Sequence, residues 1–99
     1  MIEVLVRPEA EADIESITDY TIERWGVKQA QRYVQALRAD IASLEEFPER
    51  FPAHEPTRLG LRRMRSGHHL VFYLVGEQAV EIVRILHQRQ DVSDEIDDF

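Results

Sequence analysis

A chain of 99 residues supports one domain, and at 43% hydrophobic it holds apolar material for one core. The absence of cysteine excludes disulfides and thiolate metal sites and fits a reducing cytoplasm. The net charge of −7 makes the chain a poor general binder of nucleic acid, whose phosphates reward Lys and Arg.

Ile2-Glu3-Val4-Leu5-Val6 is a short apolar run rich in β-branched residues and reads as a buried strand. Pro8 suits the first turn of a helix, and the acids at Glu9, Glu11 and Asp13 complement its dipole. Ala10, Ile14, Ile17 and Thr21 share one face, which predicts a helix from about Glu9 to about Arg24, ended by Gly26. Ala30, Tyr33, Val34, Leu37, Ile41 and Leu44 then form a one-sided stripe at the helical period, stopped at Pro48. The two helices make an antiparallel hairpin, with Trp25 and Tyr33 expected in its core.

Residues 47–60 hold Pro48, Pro52, Pro56 and Gly60 and read as a loop whose two phenylalanines, Phe47 and Phe51, tuck against the core. Leu61 to Arg65 is a short basic strand, and Ser66-Gly67 is a turn signal. His68 to Val75, apolar without a break from Leu70, reads as a central strand. Gly76-Glu77-Gln78 makes a turn, Ala79 to Leu86 a last strand, and Gln88 onward a polar tail. The order β-α-α-β-β-β predicts an α+β fold, a helical hairpin on one face of a mainly antiparallel sheet. The other face is expected to be less covered, leaving an apolar surface for a partner. Residues 1–90 read as one domain and 91–99 as an acidic tail, disordered without a partner or anchored by Ile96 and Phe99 on the sheet of its own chain or of a second copy.

Charge is unevenly spread. Residues 1–57 sum to −6, residues 58–90 to +4, and residues 91–99, with five acids and no base, to −5. The basic block therefore holds the candidate contacts: Arg62, Arg63, Arg84, His87 and Arg89. Arg62, Arg63 and Arg65 form either a solvated edge strand, where charge blocks aggregation, or a docking site for acidic groups. Arg84, inside an apolar strand, must pair or reach solvent, so it meets an acid of the first helix, such as Asp13 or Glu15, or contacts a target. His87 is a proton donor, a target contact, or a half-buried residue that fixes the tail. His68 and His69 are neighbours on a strand and point to opposite faces, which argues against a two-histidine chelate. No cofactor or metal is expected.

The front segment RPEAEADIESITDYTIERWG, through Pro8, Ala10, Ile14, Ile17 and Tyr20, resembles the first helix of the RelE/ParE toxins. The stretch GLRRMRSGHHLVFYLVGEQAVEIVRILHQRQD, residues 60–91, carries the resemblance further through Arg62, Tyr73, Arg84-Ile85-Leu86-His87 and Arg89-Gln90-Asp91, closer to the ParE branch than to the ribonuclease branch. The resemblance implies a toxin of a type II toxin–antitoxin system, of the kind also called plasmid stabilisation proteins. It implies a ParD-like antitoxin as partner, DNA gyrase as a protein target bound without catalysis, and a dimer or heterotetramer with the antitoxin. RelE-type relatives instead cut messenger RNA. Here no tyrosine follows Tyr73, His69 stands where those nucleases often carry Arg, and the acidic tail would repel RNA. A ribosome-dependent ribonuclease and a decayed toxin that keeps only antitoxin binding are the alternatives. No membrane segment, signal peptide or direct nucleic-acid contact is expected.

Overall fold

The computed structural model describes residues 2–53 and 60–90. Strand β1 (Glu3–Val6) leads into helix α1 (Pro8–Trp25), then helix α2 (Val27–Ala42). Two 3-10 turns follow, Ser43–Glu45 and Pro48–Arg50. Strands β2 (Arg62–Ser66), β3 (His69–Val75) and β4 (Ala79–His87) complete the order. The elements are those the sequence predicts, except that the last turn of the second helix, through Leu44, tightens to the 3-10 form and a second short turn lies inside the segment expected to be plain loop.

One residue joins the helices. Gly26 closes α1, its N–H donating to the Ile22 carbonyl, and opens α2, its own carbonyl accepting from the Ala30 N–H. It does so at φ +91° and ψ 168°, a backbone state essentially closed to residues with a Cβ. The helices therefore reverse without a loop, and both apolar stripes turn to the same side.

The sheet runs β1-β4-β3-β2, with β1 parallel to β4 and the other pairs antiparallel. Ala10, Ile14 and Ile17 of α1 and Leu37 and Ile41 of α2 pack with Val71, Tyr73, Val80, Ile82 and Ile85 into the main core. Burying each large aliphatic contributes about 1.5–3 kcal/mol, which offsets the backbone entropy of ordering a chain this short.

The opposite face differs from expectation. Leu61, Phe72, Val83 and Leu86 form a second buried cluster, flanked by Leu70 and Leu74, so this face is not an open apolar surface. Its formation depends on an irregularity in β4. Phe72 pairs with Arg84 but Tyr73 pairs with Ile82, which leaves Val83 as an extra residue. The bulge lets Val83 join the second cluster while Ile85 still faces the helices.

The segment between α2 and β2 is tied down by three side chains. Arg50 donates to the carbonyls of Ser43, Glu46 and Phe47. Arg62 donates to those of Glu49 and Phe51, and the Tyr73 hydroxyl donates to that of Pro48 at 2.6 Å. Backbone groups that no strand or helix satisfies thus find partners. Phe51 packs on the main core as expected, but Phe47 is 81% exposed. It holds a left-handed conformation (φ +51°) just before Pro48, where helical geometry is disfavoured, and this turns its ring outward.

Candidate functional site

The described residues leave one aromatic groove between the helical hairpin and the β3–β4 end of the sheet. It measures about 430 Å³ and is lined by Tyr20, Trp25, Tyr33, His68, His69 and His87, among others. A second depression continues from it past Ile17 to Arg89 and Gln90 and shares Tyr20, His69 and His87.

The helix geometry builds one wall. Trp25 lies on the same stripe as Ile14, Ile17 and Thr21, yet it is 68% exposed, not in the core as expected. It is the last residue of α1, and by that turn the helix has run past the sheet that would cover it. Tyr20 is also exposed and carries the Arg24 guanidinium over its ring.

The floor comes from strand pairing. His69 lies directly opposite His87 in the β3–β4 register, so both imidazoles emerge on the helix side, ring edge to ring face with centroids 5.3 Å apart. His68 adjoins His69 just ahead of β3 and also lines the groove, and among the described residues no metal-holding cluster forms.

Tyr33 of α2 organises this floor. Its hydroxyl accepts the His68 backbone N–H at 2.9 Å and shares a hydrogen bond of 2.5 Å with His69 Nδ1, with the Ser66 carbonyl a more distant acceptor at 3.5 Å. His87 Nδ1 accepts the Arg89 N–H at 3.1 Å, and Gln90 Oε1 accepts the His87 N–H, so His87 is fixed by the turn that follows it. The close packing of this corner requires a glycine. A Cβ on Gly67, which sits at φ +59°, would stand 2.6 Å from the Tyr33 hydroxyl.

Burial keeps His69 neutral. Burial, then the neighbouring His87 and His68, pull His69 down to about 4, against a weaker opposing pull from Asp13. Burial also pushes the Tyr33 hydroxyl up. A neutral His69 with Nδ1 already held by Tyr33 is a fixed wall of the groove and a poor proton donor near neutral pH.

The five residues singled out from the sequence do not converge. Arg62 and Arg63 point to opposite faces of β2, and Arg62 is engaged with the carbonyls of Glu49 and Phe51. Arg63 is exposed on the edge strand. Arg84 pairs with Asp13 of α1, the helical acid named from the sequence. Only His87 and Arg89 border the groove. Sequence reasoning missed Tyr20, Trp25, Tyr33 and His69 as groove residues. The available signal was an aromatic on each side of Gly26 at helical spacing, but which side of a core edge such a residue falls on is a tertiary property.

The fold matches a solved chain titled chromosomal ParDE TA system from P. aeruginosa, with a TM-score of 0.75, 21% identity, and coverage of 88% of this chain and 96% of that one. Two helices on a four-stranded mixed sheet thus place the chain in the fold class of that toxin–antitoxin system.

The family follows from sequence. The model for the ParE toxin of type II toxin–antitoxin system, parDE, matches residues 4–92. Toxin ParE1 of Caulobacter vibrioides is 47% identical over 79 residues, covering 80% of this chain and 81% of that protein. Toxin ParE1 of Mycobacterium tuberculosis is 42% identical over 89 residues, covering 89% and 91%. Toxin ParE of Escherichia coli is 39% identical over 97 residues, covering 89% and 86%. This chain belongs to the ParE toxin family of type II toxin–antitoxin systems.

Proposed function

We propose that this chain is a toxin that acts by binding a protein target, DNA gyrase, and that a ParD-like antitoxin neutralises it. The membership of the family and the ParDE title of the solved relative support the pairing. The observation that carries the binding reading is where the cations point. Cleaving RNA through its 2′-hydroxyl needs a base, an acid and cations around one phosphate. Arg62 and Arg84 instead tie down the chain's own backbone and helix, and Arg63 lies away from the histidines, so among the described residues the groove offers aromatic surface, with Arg24 over the Tyr20 ring and Arg89 at the other end. Exposed Trp and Tyr beside a pocket are the residue types that anchor protein interfaces.

Antitoxin or target contacts are proposed at Tyr20 and Trp25 together with His87, Arg89 and Arg63. An extended or helical antitoxin segment would place apolar side chains in the groove, and acidic groups would meet the arginines. Among the described residues no helix is long and apolar enough to cross a membrane, and the toxin is proposed to act in the cytoplasm.

The test is direct. Purified chain added to gyrase inhibits supercoiling, and addition of the antitoxin restores it. On induction in cells, DNA damage and filamentation precede any loss of transcripts. Early transcript cleavage that disappears in His87→Ala would overturn the binding reading in favour of a ribonuclease. Normal growth with soluble protein would leave antitoxin binding as the retained role.

A further inference from the structure

The aromatic groove is short of acids. Among the described residues, its lining and that of its extension include no aspartate or glutamate, although the chain carries 19 acids. Arg24 lies over the Tyr20 ring, Arg89 stands at the other end, and three imidazoles share the lining. Such a surface fits a segment that carries a carboxylate beside apolar side chains. A carboxylate drawn in among imidazoles favours their charged form. The hydrogen bonds around each ring decide which one takes the proton.

An imidazolium carries protons on both ring nitrogens and accepts at neither. His87 Nδ1 accepts the Arg89 N–H at 3.1 Å, so a proton there would break a bond that holds the turn after β4. His68 is exposed, where water and salt screen a nearby charge. His69 Nδ1 faces a hydroxyl instead, that of Tyr33 at 2.5 Å, and a hydroxyl both donates and accepts. A protonated Nδ1 donates to the Tyr33 oxygen, which still accepts the His68 N–H, while the hydroxyl turns its own proton to the Ser66 carbonyl at 3.5 Å. Every partner of this corner is kept, and the second ring N–H of His69 is left for a carboxylate.

We propose that an acidic segment of the antitoxin enters this groove together with a proton, which His69 takes up as Tyr33 turns to the Ser66 carbonyl. The coupling rests on the toxin–antitoxin reading above. The charges around the ring fit it. From α1, Asp13 favours a charged His69 but is itself held by Arg84 and the Ile85 N–H. From β2, the paired Ser66 is neutral and donates to Asp40 of α2. Burial, then His87 and His68, hold the free His69 down at about 4, and Arg89 at the rim adds no negative charge. The counter-charge that the groove lacks is the one an acidic segment brings. A carboxylate beside the ring moves its titration up by about 1–3 pH units. The bound chain then holds a proton that the free chain does not, so affinity rises as pH falls toward 4.

The experiment is a calorimetric titration of the full chain with the ParD-like antitoxin, in buffers of different ionisation enthalpy. Net proton uptake is expected between pH 5 and 6, with binding about tenfold tighter at pH 5 than at pH 7. The uptake should vanish in His69→Gln and persist in His68→Gln and in His87→Gln. A readout on the unaltered chain removes any dependence on how the variants fold. At pH 5, NMR of the His69 ring should find it largely neutral alone and at least half protonated in the complex. Binding without uptake and with His69 still neutral overturns the proposal and leaves the antitoxin pairing standing. Uptake that survives in His69→Gln overturns it as well. Absence of binding at every pH overturns both the proposal and the pairing.

Discussion

Asp13 of α1 holds two groups of β4 at once. Its carboxylate accepts from the Arg84 guanidinium at 2.7 and 2.9 Å and from the Ile85 backbone N–H at 2.8 Å. The parallel partner β1 ends at Val6, paired with Ile82, and the next backbone contact is Arg7 N–H to the Ile82 carbonyl. Beyond that point Asp13 supplies the acceptor that a neighbouring strand would have supplied. The helix and the last strand are thereby registered against each other next to the bulge.

Asp13→Ala is expected to destabilise the protein by about 2–4 kcal/mol, because it removes the carboxylate from a largely buried guanidinium and from an amide together. Replacing both partners, as in Asp13→Leu with Arg84→Leu, is expected to recover part of that loss. Urea unfolding of the three proteins checks the order; equal stability of Asp13→Ala and the parent would remove this role.

The Tyr33 hydroxyl is expected to contribute to stability, not only to line the groove. Tyr33→Phe leaves the His68 amide and His69 Nδ1 without their partner and should cost about 1–2 kcal/mol. Gly67→Ala should cost at least as much, through its positive φ and the encroachment on that hydroxyl. Thermal unfolding reads both, and a stable Gly67→Ala would contradict the tight corner.

Acid should weaken the fold through His69. Its folded pKa of about 4 lies below the ordinary 6.5, so the unfolded chain takes up the proton first. Stability from this residue is complete above about pH 6.5 and falls as pH drops toward 4. Partial exposure limits the loss to about 1–2 kcal/mol. The His69→Gln variant should show a flatter stability profile across that window, and an imidazole titration followed by NMR should find His69 still neutral at pH 5.5. A midpoint near 6.5 would refute the assignment.

Trp25 and Tyr20 separate stability from binding. Both are exposed, so Trp25→Ala and Tyr20→Ala should change stability by about 0.5 kcal/mol or less. If they anchor a partner, each should weaken its binding about 30-fold or more, equivalent to about 2 kcal/mol. Calorimetric titration with antitoxin or gyrase decides; unchanged affinity for both partners would remove the groove from the interface.

Arg62 and Arg63 are expected to behave differently although adjacent. Arg62→Ala removes the donor to the Glu49 and Phe51 carbonyls and should cost about 1–2 kcal/mol. Arg63→Ala, on an exposed side chain of the edge strand, should change stability by about 0.5 kcal/mol or less. A larger loss at Arg63 than at Arg62, measured by urea unfolding, would reverse these roles.

Much of this architecture was legible in the residues themselves. Periodicity along Ala30, Tyr33, Leu37, Ile41 and Leu44 specifies a helix and its buried face, and Gly26 marks the reversal, because these are local properties of backbone and spacing. The unbroken apolar run from Leu70 to Val75 likewise specifies a central strand, and an interior arginine at 84 calls for a helical acid. Tertiary structure decided the rest. Whether Trp25 falls inside or beyond the edge of the sheet depends on where another element stops. The pairing of His69 with His87 depends on a register between two strands, and the bulge at Val83 depends on Phe72 and Tyr73 across the ladder. Burial of Leu61, Phe72, Val83 and Leu86 on the second face, which the sequence led one to expect open, is likewise a property of the assembled sheet. The basic residues of residues 60–91 announced a family by their order along the chain, but only the fold separated those that hold the protein together from those left facing a partner.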